Sequence, residues 1–371
     1  MRPITRRLAP LALAAIALAA PAAASASKGA SPGPKAAEWL ASQLQPSSPG
    51  SYCEVFGEKS VGETIECTLA FKAAGPSFNA QREATYRWIL ANKSAYVGSE
   101  PCATTTHALS AGAVAKLALA VEAQGQNPEN VEGRNLIADL KCLQVPSGSE
   151  AGRFSDKNQT NFSNVSGQSL AIIALKACEV DCTGKPNLKA WVEPGAAYLR
   201  GQQCAVKKPK TFNGAFRSTM GLAANTCNDE PPFENESENE NAVEVDSTGA
   251  AVQALVADGT SESKTAAAAG LKWLKKQRKS SRYWENYCSF EESSVIFPSV
   301  NSTALAIMAD VEGGASLGKA EKWLGGIVEA QPPGQSGLTA CTESGPPEVL
   351  STTQGVIGLY ATSYPRLVGL P

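Results

Sequence analysis

Asp246-Ser247-Thr248-Gly249-Ala250-Ala251-Val252-Gln253-Ala254-Leu255 opens on short polar side chains and then continues as a helix almost free of charge. Asn301-Ser302-Thr303-Ala304-Leu305-Ala306-Ile307-Met308 has the same form. Followed outward in both directions, the pattern starts six times, at Gly62, Ser110, Ser166, Asp246, Asn301 and Ser351, with spacings of 48, 56, 80, 55 and 50 residues. Ser, Asp, Asn and Gly at a helix start read as N-caps, because they satisfy N–H groups that the first turn leaves without partners. A helix rich in Ala, Gly and Ser with no charged face is buried on most sides.

A second kind of segment precedes each copy. It joins an aromatic to an aliphatic residue and places an amide three residues on: Trp39-Leu40 with Gln43, Trp88-Ile89 with Asn92, Tyr198-Leu199 with Gln202, and Trp273-Leu274 with Gln277. Weaker copies are Asp139-Leu140 with Leu143 and Trp323-Leu324 with Ile327. All lie in stretches of helical character. Six helix pairs at a near-constant period build either an open solenoid or a closed ring. A ring accounts better for two features: neither end carries a polar capping repeat, and the second helix of each pair is the more apolar, as an inner barrel requires. The expected fold is therefore all-α, an (α/α)6 toroid in one domain over 27–371, with repeats starting near 36, 83, 134, 194, 268 and 318.

The fourth repeat carries a long loop over 205–245, basic at Lys207, Lys208 and Lys210 and acidic from Asp229 and Glu230 to Glu244. It reads as a solvated loop; calcium is the alternative, although no EF-hand spacing is present.

The 371 residues are 43% apolar and 18% charged, with a formal net charge of -2, which excludes a disordered chain and gives no basic surplus for nucleic acid. A single histidine, His107, excludes any metal site that needs two. Arg2, Arg6 and Arg7, an apolar run from Leu8 and the small residues Ala24-Ser25-Ala26 read as a signal peptide over 1–26, so a secreted, extracellular protein that is not integral to the membrane is expected. Ten cysteines in an oxidising space suggest five bridges. Pairing neighbours in sequence is the simplest scheme: Cys53–Cys67, Cys102–Cys142, Cys178–Cys182, Cys204–Cys227 and Cys288–Cys341.

These segments resemble the terpene cyclase/protein prenyltransferase toroid superfamily over nearly the whole chain after the leader. The outer segments look like the QW motif of squalene-type cyclases, in which the glutamine is followed by Gly-x-aromatic. Gly50-Ser51-Tyr52 and Gly214-Ala215-Phe216 match that ending, Gly152-Arg153-Phe154 supplies it in the third repeat, and Arg282-Tyr283-Trp284 does so with Arg in place of Gly. The zinc-binding Asp, Cys and His of the prenyltransferases have no counterpart. Glu244-Val245-Asp246-Ser247-Thr248-Gly249 is similar to an eroded form of the cyclases' acidic motif, with Asp246 on the proton donor and Glu244 on its first aspartate. As the equivalent of the other caps, Asp246 also has a purely structural reading.

The resemblance implies a cyclase-like toroid that has lost catalysis, uses no cofactor and binds an apolar or amphipathic small molecule in its barrel. The alternatives are an active terpene-type cyclase with Asp246 as acid, and a cell-surface interaction protein meeting a cell-envelope component. The basic run Lys272, Lys275, Lys276, Arg278, Lys279 and Arg282 reads as a solvated outer face.

Overall fold

The computed structural model describes residues 32–208, 210–228, 233–234, 237–238, 240–287, 296–315, 317–340 and 346–371. The leader over 1–26, Cys288, Cys341, Asp229 and Glu230 lie outside the described residues.

Helices alternate between two layers. The outer ones are α1 (Pro32–Ser42), α3 (Asn79–Val97), α5 (Leu136–Leu143), α7 (Lys189–Gly201), α9 (Ser261–Gln277) and α11 (Gly318–Ala330). The inner ones are α2 (Val61–Ala74), α4 (Ala111–Ala123), α6 (Val165–Asp181), α8 (Val245–Asp258), α10 (Val300–Glu312) and α12 (Val349–Leu359). Each inner helix packs on the next, and α12 packs on α2, so the inner layer closes into a ring. Every outer helix lies against the inner helix that follows it in sequence. A short helix, α13 (Tyr364–Leu367), ends the chain. The architecture is an (α/α)6 toroid, and the strand pairs between its helices among the described residues are short and antiparallel.

Burial explains the two sequence patterns. The inner helices are buried on nearly all sides. The outer helices bury one stripe, anchored by Trp39, Trp88, Tyr198, Trp273 and Trp323, all under 10% exposed. The glycine of the Gly-x-aromatic ending has a steric cause. Gly152 (φ +91°) and Gly214 (φ +97°) lie against the next outer helix, where a Cβ would fall 2.1 Å from the Pro194 carbonyl oxygen and 2.5 Å from that of Ala269. Left-handed backbone and that close approach together admit only glycine.

A further repeated device was not apparent in the sequence. The fourth residue of an inner helix accepts a backbone N–H from the segment leading into it: Thr64 from Cys53 (3.0 Å), Gln168 from Phe154 (2.8 Å), Thr248 from Phe216 (2.9 Å), Thr303 from Trp284 (3.0 Å) and Thr352 from Leu338 (2.8 Å). Buried N–H groups need partners, and these clamps fix where each inner helix begins.

The cap assignments need correction. Ser110 is the N-cap of α4, accepting the Ala113 N–H at 3.4 Å. In the other repeats the helix starts earlier: Ser60, Asn164 and Ser299 cap α2, α6 and α10 through their side chains, while Glu244 and Glu348 stand at the cap positions of α8 and α12 without a side-chain cap bond. Gly62, Ser166, Asp246 and Asn301 are second residues of their helices, and Ser351 is a third residue. The polar cluster at each start holds several cap-capable residues, and the incoming strand or loop selects the first of them.

Among the described residues four disulfides form, Cys53–Cys67, Cys102–Cys142, Cys178–Cys182 and Cys204–Cys227, each joining neighbours in sequence. No helix among the described residues is long and apolar enough to cross a membrane.

Candidate functional site

The two mouths of the inner barrel differ. The carboxy-terminal one is closed by 363–371. There α13 packs on α2, α6 and α8, and Arg366 bonds Glu312 (3.2 Å) and the Val311 carbonyl (3.0 Å) at the end of α10. The Tyr364 N–H donates to Gln253 (3.1 Å), and its hydroxyl donates to Glu66 Oε2 (3.0 Å) within the barrel.

The amino-terminal mouth is rimmed by the first turns of the inner helices, and polar links cross its seams. Between α8 and α10, the Asp246 carboxylate accepts from Ser302 and from Asn286 on the strand Trp284–Tyr287, and Asn286 also donates to Ser302 Oγ (3.0 Å). Between α10 and α12, Asn301 Nδ2 donates to Gln354 Oε1 (3.1 Å). Between α12 and α2, the Thr353 hydroxyl donates to Glu63 Oε1 (3.4 Å). Between α2 and α4, Lys116 Nζ meets Glu66 Oε1 at 2.7 Å. Between α4 and α6, Gly112 and Gly167 bring the backbones together, so that a Cβ on Gly167 would lie 3.2 Å from the Gly112 Cα. Gly62, Lys116, Ser166, Asp246, Asn301 and Gln354 are half-buried on helices whose other residues are mostly buried. Lys116 is the sixth residue of α4, about 8 Å along the axis from its start, and solvent reaches it.

Charge is concentrated beneath this rim. Burial, and then the neighbouring charge of Glu66, push the Glu63 carboxyl up to about 7, against the opposing pull of Lys116 and the Thr353 hydroxyl. Burial alone would lower Lys116, but Glu66 and Tyr96 hold it above its ordinary value, so it stays a cation. Burial and Glu66 push the Tyr364 hydroxyl well up, so it stays a donor. The cluster is therefore a Lys116–Glu66 ion pair beside the raised carboxyl of Glu63. Asp246 is also raised by burial, with the bonds from Ser302 and Asn286 drawing it back, and its Oδ1 is buried with no partner among the described residues.

Of the two residues singled out for catalysis, Asp246 lies on this rim, bonded across to the next helix rather than to its own end. Glu244 Oε2 accepts from the Ser247 hydroxyl (2.8 Å) at the same helix start. Glu63 and Lys116 were missed. Glu63 directly follows Gly62 in a flagged segment, but a lone carboxylate in a first turn reads as ordinary complementarity to the helix dipole. His107 is exposed, 3.8 Å from Glu100. Glu122 lies within 4.8 Å of Cys178 and Cys182, but the thiols are spent in a disulfide and leave no metal site there.

No protein-family model matches the chain, and no curated protein matches it. Solved structures do. The α-1,6-mannanase GH76A of Salegentibacter sp. HEL1_6 aligns with a TM-score of 0.60 over 89% of this chain and 97% of its own, at 11% identity. Its inactive variant, with two adjacent aspartates replaced, was solved with α-1,6-mannotriose and aligns over 91% and 98% at 10% identity, TM-score 0.59. Cellobiose 2-epimerase from Bacillus thermoamylovorans B4167 aligns at 0.56 over 87% and 95%, at 11% identity. The fold is that of the α/α toroids.

These likenesses correct the functional expectation. The toroids similar over almost their whole length include carbohydrate-acting enzymes, and a terpene cyclase-like member is not singled out. The rim agrees with the correction, because amide, hydroxyl and carboxyl groups line it where an apolar ligand would need hydrocarbon. The cyclase-like barrel for an apolar or amphipathic ligand, the active cyclase and the cell-surface interaction protein are set aside.

Proposed function

We propose that this chain is a carbohydrate-processing toroid, acting outside the cytoplasm, that takes a sugar chain into the amino-terminal mouth and cleaves a glycosidic bond there. The observation that carries the reading is Glu63, a carboxyl held near neutrality beneath a rim of hydrogen-bonding side chains. The likeness to the mannanase and the epimerase supports the substrate class. The four disulfides support the compartment.

In this reading Glu63 is the acid. Its proton passes to the glycosidic oxygen as the bond to the anomeric carbon breaks, and the charge left on Glu63 is stabilised by Lys116. Asp246 is the second carboxylate: α2 and α8 are opposite members of the ring, and Asp246 accepts a proton from the water that attacks the anomeric carbon. Asn301 and Gln354 are placed to bond sugar hydroxyls. The chain contains no adjacent pair of aspartates, so its carboxylates come from different helices, unlike the pair replaced in the inactive mannanase.

The test is release of reducing ends from a panel of oligosaccharides that includes α-1,6-mannotriose. Activity on at least one member is expected, falling by about 10²–10⁴-fold in Glu63→Gln and Asp246→Asn with KM little changed. A folded protein that neither cleaves nor binds any member of the panel rules the reading out.

A further inference from the structure

The outer wall carries a feature the mouth does not use. The basic run over 272–282 leaves the end of α9 and meets α11, and two grooves without acidic lining flank it, beside a third of about 520 Å³ that Asp310 lines together with Lys272, Lys275 and Arg278. One, of about 620 Å³, is lined by Arg282, Lys319, Lys322, Trp323, Gly326 and Ile327, with Ala330 at its end. The other, of about 480 Å³, lies between α9 and the loop before the fourth inner helix, with Lys210, Lys272, Lys276 and Trp273 in its walls. Neither groove has an acidic residue among those lining it.

Part of the run is engaged within the protein, and part is not. Lys279 pairs with Glu285 at 3.3 Å, Arg278 lies over the Trp284 ring at 5.5 Å, and Asp310 has Arg278 and Lys275 as its charged neighbours. Lys272, Lys276, Arg282, Lys319 and Lys322 form no ion pair among the described residues. On a chain of net charge -2, five cations on one wall without an ion-pair partner, with Glu321 beside Lys322, repel one another in part, and an anionic partner relieves that repulsion.

We propose that this outer wall is a second binding site, for an acidic polysaccharide bearing carboxylates along its length. Two features favour a sugar polymer over another polyanion. Lys272 and Lys276 are one helical turn apart, about 6 Å, comparable with the length of one sugar residue. The backbone of Gly326 is bare in the larger groove, where a Cβ would meet nothing within 4 Å, while Trp323 and Ile327 lie buried beneath it, Trp323 tilted against Tyr283. A pyranose ring fits over that bare backbone, its C–H face against the apolar stems of Arg282, Lys319 and Lys322 and its carboxylate at their charged heads. The site lies on the outer layer, so it does not depend on the chemistry at the mouth.

The experiment measures binding of the full chain to polygalacturonate, to neutral dextran and to single-stranded DNA of matched length, at two salt concentrations. The acidic polysaccharide is expected to bind at least tenfold more tightly than dextran or DNA. Binding should weaken by tenfold or more in Arg282→Ala/Lys319→Ala/Lys322→Ala. It should weaken comparably in Gly326→Leu, which fills the groove, keeps every charge and favours the helix. Asn301→Ala/Gln354→Ala, which removes the two groups placed to bond sugar hydroxyls at the mouth, should leave it unchanged, which separates this site from the proposed active centre. Equal binding of DNA and polygalacturonate, or polygalacturonate binding indifferent to Gly326→Leu, overturns the proposal, as does binding that disappears in Asn301→Ala/Gln354→Ala.

Discussion

Glu63 shows how one buried carboxyl ties function to stability. Its value of about 7 in the folded chain stands against 4.5 for an unperturbed glutamate, so between those two pH values the folded state holds a proton that the unfolded state has released. Stability therefore falls as pH rises from about 4.5 to 7 and levels off above, by about 3 kcal/mol from this group. Glu63→Gln keeps the shape and removes the ionisation. We expect the variant to match the parent in urea unfolding at pH 5 and to exceed it by up to about 3 kcal/mol at pH 8, while losing the proposed hydrolysis. Equal gains at both pH values would show that the carboxyl ionises freely. Lys116 and Glu66 depend on one another in the same cluster: truncating Lys116 to Met leaves Glu66 beneath the rim without its counter-charge and is expected to cost about 3–5 kcal/mol by the same measurement.

At the scale of elements, the disulfides and the helix starts do different work. Closing a loop restricts the unfolded chain more as the loop lengthens. Cys102–Cys142 spans 40 residues and ties the loop before α4 to α5, whereas Cys178–Cys182 spans four at the end of α6. Replacing both cysteines by alanine is expected to destabilise the protein by about 2 kcal/mol more at the first pair than at the second. Thermal unfolding of the two double variants checks this, and equal losses would point to native packing rather than loop closure. The helix starts show why a pattern can be legible while its register is not. The six polar clusters were visible in the sequence, yet only Ser110 caps its helix as read. Elsewhere the hydrogen bonds onto Thr64, Gln168, Thr248, Thr303 and Thr352 set the first turn, and these reach residues 11 to 32 positions away.

For the whole molecule, the decisive asymmetry is that one mouth is plugged. Residues 363–371 cover the carboxy-terminal end, and the Tyr364 hydroxyl satisfies Glu66 from below. Removing 363–371 takes away Leu367, Val368 and Leu370, which are under 10% exposed in the intact chain, and is expected to lower the melting temperature by several degrees and to expose the apolar surfaces they cover. Increased binding of an apolar dye and a lowered melting temperature, measured together, check this; an unchanged melting temperature would make the segment an appendage. The plug also explains why a resemblance to cyclases was a poor guide to the ligand. The repeat fixes an outer wall and an inner wall that many toroids share, while the contents of the barrel depend on a few residues that the repeat does not constrain.

Periodicity and composition determined the number of helix pairs, the layer each helix occupies and the closed ring, and the simplest neighbour scheme matched the four cysteine pairs among the described residues. Each of these follows from local patterns of apolar residues, or from neighbours along the chain. The tertiary structure alone decided which carboxyl groups are perturbed. Glu63 gains its character from Glu66 one turn along, Lys116 on the next helix and Thr353 from the far end of the chain, and Asp246 from Ser302 and Asn286. Desolvation and charge coupling act through space over a few ångströms, and no spacing in the sequence records which helices the closing ring will bring side by side.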